Sequence, residues 1–205
     1  MVIQENRFDI VMRRTATILS VVILTFSLIA ASTGILLSIY YEPASGRAYQ
    51  SLSVITEQIQ YGWLFRKAHH IAGNGVIVAA LIQIVVMFLG RQFSKSWYTA
   101  WASGIFLTLT VIGLSWTSMV LVWDQVGFWR FNIELGTIEA IPFIGGQLRE
   151  ILTGGSGVST LTVQRLYTIH SYLLSTAAII LAIVHLFGVL WVEKQVKDSL
   201  PNFFS

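Results

Sequence analysis

The sequence predicts an all-α membrane protein, a bundle of four transmembrane helices, and three observations support this prediction. Hydrophobic residues make up 55% of the 205 residues and charged residues only 11%, whereas a soluble domain carries about 25% charged residues. Four apolar stretches are each long enough to cross a bilayer core of about 30 Å. Cysteine is absent, which excludes disulfides and thiol chemistry. The net charge of +3 is explained by membrane topology, so no nucleic-acid partner is expected.

The four predicted spans are named A to D in chain order. They cover about Thr15–Tyr40 (A), Tyr61–Leu89 (B), Trp97–Val122 (C) and Leu166–Val192 (D). A short polar leader precedes span A, and no small-residue cleavage site follows the apolar run, so we expect the leader to be retained. No repeat or flexible linker is visible, which predicts a single domain over residues 1–205.

The long connection between spans C and D, residues 124–165, is too polar to cross the membrane and too rich in Trp, Phe and Ile for a free linker. We expect it to lie on the outer membrane surface, with Phe128, Trp129 and Phe131 at the interface that aromatic rings favour. Ile141–Gly146 predicts a turn, and Gln147–Leu152 predicts a short surface helix after it.

Orientation follows from the distribution of Lys and Arg between the two sides of the membrane. Alternating spans put seven of these residues on the side of the N-terminus and six on the other side, which is a small difference. The loop between B and C and the C-terminal tail are short and basic, so we predict a cytoplasmic or stromal N-terminus.

All four histidines lie in spans B and D, and a titratable residue inside a span is costly unless it has a function. Both spans start from the outer side, and His69 and His170 lie near their starts. The two side chains therefore lie at similar depth, where they can ligate one haem iron from both faces. An interfacial histidine without a ligand explains either residue alone, but the matched pair favours haem.

His185 lies 15 residues after His170, which on an α-helix is roughly 22 Å further and about 60° round the axis. Gln83, 14 residues after His69, occupies the same level on span B. Two interpretations remain open. A second haem held by His185 alone is the one we expect, because an amide is a poor iron ligand beside imidazole. In the other, His185 is hydrogen-bonded within the bundle, with Gln83 as its candidate partner.

Cations at the outer helix ends suit the haem propionates. Arg66 lies three residues before His69 and Arg165 five before His170, although an arginine at a helix end also snorkels to lipid head groups. His70 points some 100° away from its neighbour, so we expect it to contact a propionate or a loop and not the iron.

Five segments carry a resemblance to a known family. They are Ile39–Pro43, Tyr61–His69, Trp123–Trp129, Ala140–Gly145 and Gln164–His170, the last with His185 fifteen residues further on. In order and spacing they resemble the N-terminal half of cytochrome b, most closely cytochrome b6 of the quinol-oxidising complexes. The resemblance covers almost the whole chain from about Thr15 onward.

The resemblance implies two stacked b haems that pass electrons from quinol across the bilayer. His69 and His170 match the ligands of the outer haem, and His185 matches one ligand of the inner haem. Gln83 stands where the family has the other inner ligand.

The resemblance also concerns small residues that let haem approach the helices. Gly34 and Gly104 match two family glycines, while Ser20 and Ser118 stand where the other two are expected. Ile18 occupies the position at which cytochrome b6 attaches an extra haem through cysteine. The chain is thus similar to a divergent member.

Partners and location are implied in the same way. A three-helix subunit IV-like or C-terminal cytochrome b partner would supply the catalytic glutamate, so the chain is not catalytic alone. The family also implies a Rieske iron–sulfur protein or c-type cytochrome, a dimeric complex, membrane lipid and a bacterial inner or thylakoid membrane. Trp123–Trp129 would line the outer quinone pocket, although an interfacial aromatic anchor also explains it.

Two functions follow. The first is an electron-transfer subunit of a quinol:acceptor oxidoreductase of the Rieske/cytochrome b kind. The second is a haem-bearing membrane anchor or structural subunit of another electron-transfer or photosynthetic complex, which exchanges electrons with quinone without a full Q cycle. A haem-free channel is hard to reconcile with the His69 and His170 pair.

Overall fold

The computed structural model describes residues 7–199, and within that range the chain is helical with no β-strand. The helices are α1 (Arg7–Ser38), α2 (Ala48–Glu57), α3 (Gly62–Leu89), α4 (Tyr98–Leu121), α5 (Gln125–Glu139), α6 (Gly145–Thr153), α7 (Thr160–Thr168) and α8 (Ser175–Ser199). A 3₁₀ turn, Lys95–Trp97, precedes α4, and a π-helical turn, Ile169–Leu174, joins α7 to α8. The all-α prediction is confirmed.

Four helical stretches are long and apolar enough to cross a membrane. They are Arg7–Ser38, Gly62–Leu89, Lys95–Leu121 and Thr160–Asp198. These correspond to spans A to D, so the prediction of a four-span membrane protein is confirmed. The first and last stretches begin earlier than predicted, because polar residues extend a helix beyond its apolar part. Residues 1–6 of the leader lie outside the described residues.

Two helices were not predicted from the sequence, α2 and α5, because a short surface helix has no long apolar run. The start of α5 depends on local chemistry. Trp123 adopts a left-handed conformation (φ 53°), and the Asp124 carboxylate then caps the helix by accepting from the Gly127 backbone N–H at 2.7 Å. A Cβ at Gly127 would lie 2.7 Å from the Met119 carbonyl oxygen, so this turn requires glycine.

The connection between α4 and α7 is more buried than predicted. Phe131 is 0% exposed and packs on Trp116, with ring centroids 5.9 Å apart, so its predicted place at the membrane interface is wrong. It shares the buried face of α5 with Gly127 and Leu135, at the spacing of one helical face. Trp129, on another face, is 61% exposed, as an interfacial residue would be.

The chain forms two compact units. The first comprises Ala30–Ile71 and Ile112–Thr176, and the second comprises the described parts of Met1–Ile29, Ala72–Val111 and Ala177–Ser205. The core of the first contains Ala48, Val120, Leu121, Phe131, Leu135, Val163 and Leu166. The core of the second contains Ala16, Val86, Met87, Trp97, Ala100, Val189 and Val192. The first unit contains His69 and His170, and the second contains Gln83 and His185.

Candidate functional site

His69 is held by two features of α1. Its Nδ1 lies 2.8 Å from the Ala30 carbonyl oxygen, and since a carbonyl only accepts, Nδ1 carries the proton and Nε2 keeps its lone pair. One turn further along α1, a Cβ at Gly34 would lie 3.1 Å from His69 Cε1, so glycine provides the space for the ring. Nε2 of His69 is therefore the nitrogen that could bind a metal.

His170 has the same tautomer as His69, but a different residue accepts its Nδ1 proton. Its Nδ1 lies 2.8 Å from Thr117 Oγ1 on α4. The Thr117 hydroxyl donates to the Gly113 and Leu114 carbonyls at 2.9 and 3.0 Å, so its oxygen accepts the proton of Nδ1. Nε2 of His170 is therefore the nitrogen with the lone pair, as in His69.

The two rings are separated by the distance that a shared iron requires. Their centroids are 6.4 Å apart and their planes are inclined by 59°. With metal–nitrogen bonds of about 2 Å, an iron between two Nε2 atoms places the ring centroids about 6 Å apart. His69 and His170, which we call the paired-histidine site, thus fit a haem iron, as the sequence predicts.

His170 lies within the π-helical turn, which the sequence did not predict. A π-helical turn takes up more residues than an α-helical turn, and such turns are frequent at functional sites. The spacing from His170 to His185 is one residue longer than the spacing from His69 to Gln83. The rotation of about 60° expected for a uniform α-helix therefore does not apply, because the helix is not uniform.

Arg66 and Arg165 are each held by one hydrogen bond. Arg66 Nη1 donates to Thr56 Oγ1 of α2 at 2.7 Å, and Arg165 Nη1 donates to the Ile151 carbonyl of α6 at 2.8 Å. A guanidinium has five N–H donors, so each arginine retains donors for a carboxylate. Their assignment to haem propionates remains a prediction, as does the role of His70, which is exposed.

His185 is oriented on α4 in the same way as His69 is oriented on α1. Its Nδ1 lies 2.9 Å from the Ala100 carbonyl oxygen, and four residues later a Cβ at Gly104 would lie 3.1 Å from both Cε1 and Nδ1. Nδ1 again carries the proton, and Nε2 is the acceptor.

Gln83 fills the position opposite His185. Its Nε2 lies 3.0 Å from His185 Nε2 and 3.2 Å from Ser20 Oγ, while its Oε1 is buried without a hydrogen-bond partner. Gln83 and His185 are each 1% exposed. In this arrangement, which we call the glutamine–histidine site, Nε2 of the imidazole accepts a hydrogen bond from the amide.

The predicted quinone segment lies on an open groove. Residues of α5 line a volume of about 510 Å³, and they are Gln125, Val126, Trp129, Arg130, Ile133 and Glu134. Glu134 accepts from Trp116 Nε1 at 2.6 Å and from Arg130 at 2.8 Å, which fixes its carboxylate beside the groove.

Two further positions were singled out from the sequence. Ser118 donates to the Ser115 carbonyl of its own helix, and Ile18 is 63% exposed. Thr117 was not predicted from the sequence, because a threonine in a span usually bonds to its own backbone.

Comparison with known proteins supports the same fold and family. The family model described as Cytochrome b/b6/petB matches residues 11–192. Cytochrome b6 of Cyanidium caldarium is 33% identical over 172 residues, which cover 84% of this chain and 79% of that protein. Cytochrome b6 of Desmonostoc sp. (strain PCC 7906) is 32% identical with the same coverage.

Among solved structures, a chain of a "Hyperthermophilic respiratory Complex III" has a similar fold. The TM-score is 0.73 at 22% sequence identity, and the match covers 86% of this chain. This chain spans about half the length of that one, since the match covers 47% of it.

Proposed function

The chain belongs to the cytochrome b/b6 family, and we propose that it is the haem b-carrying electron-transfer subunit of a quinol-oxidising membrane complex. The observation that supports this proposal is the paired-histidine site, where two rings 6.4 Å apart both have Nδ1 engaged. A haem b with two imidazole ligands takes up and releases one electron reversibly.

The residues of the site have distinct tasks. His69 and His170 would ligate the iron through Nε2, and the Ala30 carbonyl and the Thr117 hydroxyl hold the rings in the required tautomer. Gly34 leaves room for the His69 ring. Arg66 and Arg165 would pair with the propionate carboxylates through their remaining N–H groups.

Quinone and partner proteins complete the proposal. The Trp123–Trp129 segment and the groove on α5 would form one wall of the quinone pocket, and a three-helix or C-terminal cytochrome b partner would supply the other wall and an acidic residue. A Rieske iron–sulfur protein or c-type cytochrome would accept the electrons. We place the complex, as a dimer, in a bacterial inner or thylakoid membrane, with the N-terminus of this chain on the cytoplasmic or stromal side.

A second function is favoured by the hydrogen bond between Gln83 and His185. A chain without a second haem suits a haem-bearing anchor, which exchanges electrons with quinone without a full Q cycle. The two functions share the paired-histidine haem and differ in the partners of the chain.

The test is to purify the complex from its own membrane and to measure its subunit composition and its haem absorption spectrum. We expect a low-spin haem b that a short-chain quinol reduces, together with a Rieske protein and a three-helix subunit identified by mass spectrometry. A reducible haem without those two partners would favour the anchor. Absence of haem b from the complex would refute both functions.

A further inference from the structure

We propose that this chain carries a single haem, at the paired-histidine site, and that Ser20, Gln83 and His185 form a haem-free hydrogen-bonded core where a second haem would lie. The inference rests on the proposed function for the first haem. It replaces the expectation, drawn from the sequence, that His185 alone still holds a haem.

The nitrogen of His185 that could bind iron, Nε2, is already engaged in a hydrogen bond. Gln83 Nε2 lies 3.0 Å from His185 Nε2, whereas two ligand atoms on opposite sides of one iron lie about 4 Å apart. An iron bound by His185 alone would also have to lie on the line of this hydrogen bond. In the same structure, the rings of His69 and His170 keep the separation that an iron requires.

The hydrogen bonds around Gln83 allow only one orientation of its amide. Ser20 Oγ donates to the Ala16 carbonyl at 2.8 Å, so it accepts from Gln83. His185 Nδ1 faces the Ala100 carbonyl, so its Nε2 also accepts. Both amide hydrogens are therefore used, and the two acceptors lie on α1 and α8. The amide links two helices to α3 in place of a ligand.

Ser20 takes part in this core, whereas Ser118 does not form an equivalent contact. Both serines stand where the family has glycines for haem. The hydroxyl of Ser118 donates to its own helix, while Ser20 is 1% exposed and bonds to Gln83 on another helix. At the paired-histidine site, the family glycine is retained as Gly34, which lies 14 residues after Ser20 on α1.

The positions of neighbouring cations also favour haem at the paired-histidine site over the glutamine–histidine site. An arginine precedes His69 by three residues and His170 by five. After Gln83 the first cation on α3 or its end is Arg91, eight residues on, and after His185 it is Lys194, nine residues on. Along α3 and α8, no cation lies within seven residues of Gln83 or His185, and the nearest cations on α1 are Arg14 and Arg13, six and seven residues before Ser20.

One haem changes the route of the electron. An electron on the paired-histidine haem would have no second haem within this chain to reach. It would have to leave to quinone or to a cofactor of a partner protein.

The first test is the number of b haems per chain in the purified complex, measured as pyridine haemochrome against the amount of chain, with covalently bound c-type haem distinguished by its α-band. We expect one. Two would overturn this inference and leave the proposed function standing. Zero would overturn both.

A matched pair of substitutions on one span locates the haem. We expect His170→Phe to abolish haem b and His185→Phe to leave its amount and α-band unchanged. A halved or lost signal in His185→Phe, in chain that remains in the membrane, would overturn the inference. EPR of the unmodified complex gives an answer that does not depend on folding of a variant: we expect low-spin ferric haem only, and a high-spin haem b signal from a five-coordinate site would overturn it.

Discussion

His69 and His185 are oriented by the same kind of contacts, but different residues face their Nε2 atoms. Each ring has Nδ1 on the carbonyl of an alanine and Cε1 against a glycine four residues further along that helix, Ala30 with Gly34 and Ala100 with Gly104. The ring of His69 is paired with a second imidazole. The Nε2 of His185 meets an amide N–H at 3.0 Å.

If His185 holds no haem, as we propose, an oriented histidine in a membrane helix does not by itself define a haem site. The orientation of the ring comes from one neighbouring helix, while the ability to bind iron depends on the residue on the opposite side. A histidine opposite leaves its lone pair for a metal, whereas a glutamine amide presents a donor and satisfies the ring without a metal.

The largest expected effect is complete loss of haem from the paired-histidine site. In His69→Ala the iron loses one of two imidazole ligands, so the reduced α-band of low-spin haem b should disappear from the spectrum of the purified complex. His70→Ala is the matched control, because this neighbouring histidine is exposed and is not expected to ligate the iron, so the variant should keep the haem. An unchanged α-band in His69→Ala would contradict the assignment.

Substitution of Gly34 and Gly104 tests whether similar packing against a histidine ring has different effects on haem content at the two sites. A Cβ at Gly34 or Gly104 would lie 3.1 Å from a histidine carbon. We expect Gly34→Ala to lower the haem content several-fold, because the ligand must shift. Gly104→Ala should leave the haem content unchanged and cost about 1–3 kcal/mol in stability by overpacking.

Haem content and thermal unfolding of the two glycine variants provide the measurement. Gly73→Ala on α3 is the control, since nothing lies within 4 Å of its Cβ position. Equal loss of haem in Gly34→Ala and Gly104→Ala would show that both sites bind haem.

Substitution of Thr117 should weaken haem binding less than loss of a ligand, because Thr117 acts only by orienting His170. Thr117→Val removes the acceptor of Nδ1 and leaves the ring free to turn, which we expect to weaken haem binding by about 10-fold to 100-fold. Transfer of haem to apomyoglobin measures this change. Thr117→Ser should restore binding.

The control for Thr117 lies in the other unit. Thr108 Oγ1 donates to the Gly104 carbonyl of its own helix at 2.8 Å, so Thr108→Val should not change haem retention. If Thr117→Val and Thr108→Val behave alike, the Thr117 hydroxyl does not orient the ligand.

The smallest effect is electrostatic. Ferric haem carries one more positive charge than ferrous haem, so a nearby cation destabilises the oxidised state. Arg66→Gln should therefore lower the midpoint potential by about a few tens of millivolts. Arg66→Lys keeps the charge and should keep most of the potential in a redox titration. A rise in potential on Arg66→Gln would exclude a propionate partner at this position.

The sequence predicted most of the fold because spans are set by length and hydrophobicity. The starts of α3 and α4 fall within one residue of the predicted spans B and C. It missed α5 and the buried position of Phe131, since a surface helix buries one face only when another element covers it. It missed the π-helical turn at His170 because no residue type specifies such a turn.

The sequence by itself determined that the chain is a four-span membrane protein, and that His69 and His170 are the candidate ligands, because apolar length and the cost of a titratable residue in a span are properties of residue type. It left the state of His185 open. Only the tertiary structure brings Ser20 and Gln83 to this ring, with Gln83 Nε2 at 3.0 Å from its nitrogen. The two facing atoms lie about 1 Å closer in a hydrogen bond than they would as two ligands of one iron. The packing of three helices sets this separation.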